Sequence, residues 1–155
     1  MSEIAEGTKA PEFTLPGDSG SEISLSSYHG QPVVLYFYPK DNTSGCTKQA
    51  QGFNELLGEF EKAGVAVIGV SPDGVASHDK FKAKFDLAFP LAADTEQEVA
   101  NAYGVWKEKS MYGKKYMGVE RSTFLIDKDG TVAKAWRKVK VPGHVEAVLE
   151  AARAL

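Results

Sequence analysis

Hydrophobic positions along this chain come in two patterns, and their alternation predicts the architecture. Val33-Val34-Leu35-Tyr36-Phe37-Tyr38 and Val65-Ala66-Val67-Ile68-Gly69-Val70 are continuous apolar runs rich in β-branched and aromatic residues, the mark of strands covered on both faces. Between them Ala50, Phe53, Leu56, Leu57 and Phe60 recur at spacings of three and four, which places them on one face of a helix that Gly64 terminates. Strand, helix and strand form a βαβ unit, so the two strands run parallel and the crossover is right-handed.

The flanking sequence extends this core. Phe13-Thr14-Leu15, framed by Pro11 and Pro16, reads as a short edge strand, and Ile23 and Leu25 as its hairpin partner. Ser26 to Gly30 reads as a turn or a single helical turn. Val75 to Phe85 predicts a Lys-rich helix with Phe81 and Phe85 four apart, Phe89 to Ala92 a short strand or extended connector, and Glu96 to Tyr103 a helix with Val99, Ala100 and Tyr103 on one face. Trp106 to Tyr116 reads as a mobile surface loop. Ser122 to Asp127 and Val132 to Trp136 predict an antiparallel hairpin, and Val145, Val148, Leu149 and Ala152 a final amphipathic helix. The fold class is α/β: one domain over residues 1–155, a central mixed sheet flanked by helices with an N-terminal β-hairpin.

Composition narrows the function. A formal net charge of −3 leaves no basic field to support the lysines of the 106–116 segment, so neither nucleic acid nor an anionic membrane is expected as a partner. No apolar run approaches the roughly 18 residues of a spanning helix. The acidic opening Met1 to Gly7 lacks the basic-then-apolar pattern of a secretory leader. The single cysteine cannot form an internal disulfide, so the fold does not rely on an oxidising compartment, and the cytoplasm is the expected location. His29 has no companion ligands at metal spacing and reads as a loop histidine; His78 reads as an ordinary residue of a surface segment.

That cysteine carries the candidate chemistry. Cys46 follows the first central strand and falls in the first turn of the predicted helix, where unpaired N–H groups and the positive end of the macrodipole favour an ionised sulfur. Thr43, three residues upstream, has a hydroxyl able to cap the helix or to hydrogen-bond whatever approaches the sulfur.

Pro39, Thr43 and Cys46, spaced Pro-x-x-x-Thr-x-x-Cys after an aromatic strand, resemble the active-site signature of the peroxiredoxins. The flanks Tyr36-Phe37-Tyr38-Pro39-Lys40-Asp41 and Gly45-Cys46-Thr47 resemble the bacterioferritin-comigratory or Q-type branch. Ala10 to Leu15 is similar to the family's opening strand, Val67 to Asp73 to its second central strand, and Gly118 to Asp127 to its arginine-bearing strand. The resemblance implies a thioredoxin-like fold and a thiol-dependent peroxidase that reduces hydrogen peroxide and alkyl hydroperoxides through a sulfenic acid on Cys46. It implies that Thr43 and the backbone at Gly45 orient the peroxide, Pro39 shapes and shields the site, and Arg121 stabilises thiolate and developing oxyanion. It further implies no metal or cofactor, a monomer, and a place for the 106–116 segment beside the substrate entrance.

Two departures qualify the pattern. Gln49 stands where the resemblance leads one to expect glutamate, so it brings no charge to the arginine. Gln51 stands where many Q-type members carry a resolving cysteine, and with no second cysteine in the chain the sulfenic acid must be reduced by an external thiol: a small thiol, a glutaredoxin or a thioredoxin. Two other functions compete with peroxide reduction. One is a thioredoxin-fold interaction or chaperone module with an incidental cysteine; the other is a cysteine acyl-transfer enzyme, which needs a base histidine beside the sulfur. A disulfide reductase is excluded because there is no Cys-x-x-Cys pair.

Overall fold

A computed structural model describes residues 4–155; Met1-Ser2-Glu3, part of the opening stretch read for a leader, lies outside the described residues. Its centre is a five-stranded sheet whose strands lie in the order Leu91–Ala93, Ala66–Ser71, Val33–Phe37, Ser122–Ile126 and Val132–Trp136. Strands β3 (Val33–Phe37), β4 (Ala66–Ser71) and β5 (Leu91–Ala93) are parallel; β8 (Ser122–Ile126) and β9 (Val132–Trp136) join antiparallel, so the sheet is mixed as expected. A hairpin of β1 (Thr14–Pro16) and β2 (Glu22–Ser24) pairs Leu15 with Ile23 beside it. The α-helices among the described residues are α1 (Ser44–Glu55), α2 (Leu57–Lys62), α3 (Val75–Phe85), α4 (Glu98–Ala102) and α5 (His144–Arg153).

Strand β3 sorts the core into two layers because successive side chains point to opposite faces. Val33, Leu35 and Phe37 pack with Phe13, Ile23, Val99, Tyr103 and Phe124 on one face. Val34, Tyr36 and Tyr38 pack with Ala50, Phe53, Phe60, Phe81 and Val148 on the other. The Tyr36 ring stacks on Phe53 of α1 at 4.6 Å between centroids. Gly69, its partner on β4, leaves the room for that ring, since a Cβ there would stand 3.0 Å from its Cζ and Oη.

Two elements differ from the sequence reading. The predicted single helix breaks at Leu56 into α1 and α2, with Gly64 at φ 77° closing the second. The segment 106–116 is not a mobile loop. It forms, with the residues that follow, an antiparallel hairpin of β6 (Trp106–Met111) and β7 (Lys114–Val119). Tyr112 and Gly113 turn it, both with positive φ, as a two-residue hairpin turn requires. Periodicity missed the hairpin because most of its side chains face outward and no apolar stripe marks an inner face.

The start of α5 holds a buried histidine. His144 Nε2 lies 2.8 Å from the Thr123 hydroxyl and meets the Trp136 and Phe53 rings edge-on. Burial, reinforced by the charge of Arg121 and opposed by Glu146, pulls its pKa down to about 4. The folded state therefore keeps His144 neutral. Its contribution to stability is complete above the unfolded pKa of 6.5 and is lost as pH falls toward 4. Urea unfolding at pH 7 and pH 4.5 should show a larger loss of stability in the wild type than in His144→Asn, whose side chain has no proton to gain. Equal losses would show that His144 is not held neutral.

Candidate active site

The loop from Pro39 to Thr43 links the end of β3 to α1, and it brings Cys46 into the first turn of that helix as the sequence indicates. Thr43 occupies the N-cap position with extended backbone, and its carbonyl accepts the first helical bond, from Thr47 N–H at 2.8 Å. Its hydroxyl does not cap the helix. It donates to the Lys40 carbonyl at 2.9 Å and closes the loop on itself, so no side chain caps the N-terminus of α1. Pro39 lies half-buried at the start of the same loop, while the Thr43 side chain is exposed.

Arg121, just before β8, reaches across to α1. Its Nη2 donates to Cys46 Sγ at 3.2 Å, and its Nη1 to Gln49 Oε1 at 2.6 Å. The guanidinium thus spans two residues one helical turn apart, a task suited to its planar fork. Gly45 makes room for it: a Cβ there would meet Nη2 at 3.3 Å. Sequence reasoning left the place of Gln49 in this network open. The structure puts it inside, fully buried, with an uncharged oxygen as acceptor and its Nε2 without a partner among the described residues. Cys46 as a residue is 2% exposed.

Lys109 of the β6–β7 hairpin lies within electrostatic reach of Arg121 and Cys46. Burial lowers the pKa of Lys109, and the charge of Arg121 lowers it further, against the opposing pull of Cys46 and Glu120. The neighbouring Tyr36 hydroxyl is buried without a hydrogen-bond partner among the described residues, and burial first, then the charge of Cys46, holds it protonated.

His78 is a correction. It is not an ordinary surface residue but 0% exposed, hydrogen-bonded through both ring nitrogens to Asp41 and to the Ala92 carbonyl. Asp41, also buried, was not singled out in the sequence as a site residue. No local signal marks the pair, because its members lie 37 positions apart and meet only when α3 packs against the loop before α1. His29 is exposed, as read. The hydrogen bonds of His78 and His144 go to Asp41, Ala92 and Thr123, not to the sulfur, so neither is placed as the base an acyl-transfer enzyme needs. Among the described residues no cluster of three or more His, Cys, Asp or Glu is arranged to hold a metal ion, and no helix is long and apolar enough to cross a membrane.

Residues 7–135 match the family model described as the AhpC/TSA family. A putative peroxiredoxin bcp of Coxiella burnetii is 51% identical over 94% of this chain and 97% of its own. Peroxiredoxin Bcp of Bacillus subtilis is 51% identical over 95% and 94%. Among solved structures, Xanthomonas campestris peroxiredoxin Q superimposes with a TM-score of 0.88 at 51% identity, over 92% of this chain and 90% of that one. A cysteine-to-serine mutant of Xylella fastidiosa PrxQ reaches 0.94 at 43% identity, over 99% and 98%. The thioredoxin-like peroxiredoxin fold agrees with these relatives, and the chain belongs to the AhpC/TSA family as a peroxiredoxin of the Bcp and Q type, a thiol-dependent peroxidase.

Proposed function

We propose that Cys46 is the peroxidatic residue of a one-cysteine cycle carried by a single domain over residues 1–155. The observation that carries the assignment is the 3.2 Å bond from Arg121 Nη2 to Cys46 Sγ. The Cys46 thiolate attacks one oxygen of hydrogen peroxide or an alkyl hydroperoxide. The S–O bond forms as the O–O bond breaks, and the leaving oxygen takes a proton and departs as water or alcohol. Arg121 stabilises the sulfur anion and the charge growing on that oxygen. Thr43 and the backbone at Gly45 orient the peroxide, and Pro39 shields the sulfur from bulk water.

The sulfenic acid then has no internal partner, because the sequence holds one cysteine. An external thiol condenses with it, releasing water and leaving a mixed disulfide; a second thiol attacks the reductant's sulfur and restores Cys46. Thioredoxin, glutaredoxin or a small thiol each satisfies this stoichiometry. We place the enzyme in the cytoplasm as a monomer, since one cysteine asks for no oxidising compartment. Elution at the monomer volume on sizing, and recovery with cytoplasmic markers on fractionation, are the expected results; a dimer volume or a different fraction would reverse this placement.

Stoichiometric peroxide without reductant should add one oxygen at Cys46, seen by intact mass spectrometry and trapped by a dimedone-type probe. Excess peroxide should carry the sulfur to the sulfinic acid faster without an external thiol than with one. No oxygen addition in folded protein would sink the assignment and leave a thioredoxin-fold binding module in its place. Arg121→Lys keeps the charge but cannot bond Cys46 and Gln49 together. Single-turnover oxidation should slow on the order of a hundredfold with an unchanged circular dichroism spectrum; wild-type rates would mean that another group supplies the field.

A further inference from the structure

Asp41 lies in the same loop as Pro39 and Thr43, yet its side chain is buried and taken up by donors from several elements. Oδ1 accepts from the Tyr38 hydroxyl at 2.6 Å. Oδ2 accepts from the Ser77 hydroxyl at 2.7 Å and faces His78 Nδ1 at 2.7 Å. The backbone of the loop is tied as well: Asp41 N–H donates to Asp73 Oδ2 at 2.7 Å, and that oxygen also accepts from Ser71 at 2.6 Å. None of these contacts touches the sulfur, and the peroxidase cycle above uses none of them.

Both ring nitrogens of His78 face oxygen atoms. Its Nε2 lies 3.0 Å from the Ala92 carbonyl oxygen, which only accepts, so Nε2 carries a proton. Its Nδ1 faces Asp41 Oδ2 at 2.7 Å, which is an acceptor for a second ring proton when the carboxyl is ionised. A neutral imidazole has one N–H and satisfies only one of these two acceptors. The ring is 0% exposed, so no water replaces a lost bond. A buried imidazolium is costly unless paired with an anion and hydrogen-bonded, and both conditions hold here.

We propose that His78 is a positioning residue for the Cys46 loop: as a doubly protonated imidazolium bridging the Asp41 carboxylate and the Ala92 carbonyl, it clamps the loop that presents the sulfur to α3 and β5. The groups facing the ring agree in sign. Asp41 comes from the loop, Asp73 from the β4–α3 connection and the Ala92 carbonyl from β5. Burial pulls the pKa of His78 down, but the bond and charge of Asp41, with the Ala92 carbonyl and Asp73, outweigh it and raise the value above 6.5. The clamp is therefore complete below that pH and is lost as pH rises through the raised folded value. Tyr38 is neutral throughout, since burial first and then the nearby Tyr36 and Asp41 keep its hydroxyl protonated.

Imidazole nitrogen NMR of the reduced full chain tests the first half independently of any peroxidase activity: at pH 7 both His78 nitrogens should carry protons, and a neutral tautomer would overturn the proposal. The second half rests on Cys46 being the reacting sulfur and is read by single-turnover oxidation from pH 6 to 9.5. In the wild type the rate should fall at the pH where NMR finds His78 titrating. In His78→Gln that alkaline fall should vanish and the rate at pH 7 should drop between about ten- and a hundredfold, in protein shown to be folded by circular dichroism. In Asp41→Asn the fall should move to lower pH. A variant that loses only thermal stability while keeping the wild-type rate and pH profile would make His78 a structural residue and overturn the proposal. Failure of Cys46 to oxidise at all would overturn the peroxidase reading while leaving the NMR result standing.

Discussion

The contact on which the site depends is one guanidinium fork. Arg121 and Cys46 are 75 positions apart in the chain, and they meet because β8 pairs with β3, placing Phe37 opposite Ser122. The residue before β8 and the helix after β3 therefore emerge at the same end of the sheet. Register decides this outcome: a slip of one residue would turn the side chains of β8 to the opposite faces and carry Arg121 away from the sulfur. Gln49 completes the arrangement by accepting from Nη1 without contributing a negative charge. No carboxylate hydrogen bond to Arg121 competes with the sulfur for its charge among the described residues.

The core supports that geometry through shape. Ring stacking between Tyr36 and Phe53 binds α1 to β3 one turn beyond the residues that matter chemically, and the missing side chain at Gly69 lets that ring lie down against β4. Gly45 plays the same part beside the guanidinium. Both glycines act through the space they leave; neither has a positive φ. The stiffness of a close-packed interior makes such fits consequential, because displaced volume has nowhere to go.

Much of this was legible in the sequence, and the limits have physical causes. Continuous apolar runs identified β3 and β4, and spacings of three and four identified α1, α3 and α5, because burial on one or both faces leaves a periodic trace. Cys46 and Arg121 could be named from motif and resemblance. The break at Leu56 left no trace because the apolar spacing continues through it. The β6–β7 hairpin carried no inner stripe, with Met111, Tyr112 and Met117 all exposed, although Tyr112-Gly113 was a usable turn signal. His78 was misread because the lysines around it on α3 are those of a soluble surface helix, and its burial is set by Asp41, which no periodicity within α3 reports.

Together the buried His78 and the half-buried Arg121 explain how a short loop without regular structure can present a buried cysteine reproducibly. The loop is pinned at Asp41 by His78 from α3, and the helix it feeds is pinned at Cys46 and Gln49 by Arg121 from the other side of β3. Between the pins Thr43 closes a turn on Lys40 rather than capping α1, which leaves the first-turn N–H groups beside the sulfur without a side-chain cap. An aspartate cap at that position would satisfy one of those donors and also place a negative charge in the field of the sulfur. The order of side chains from Asp41 to Gln49 thus keeps anionic groups at the far end of the loop, where His78 neutralises them, and reserves the helix N-terminus and Arg121 for the sulfur.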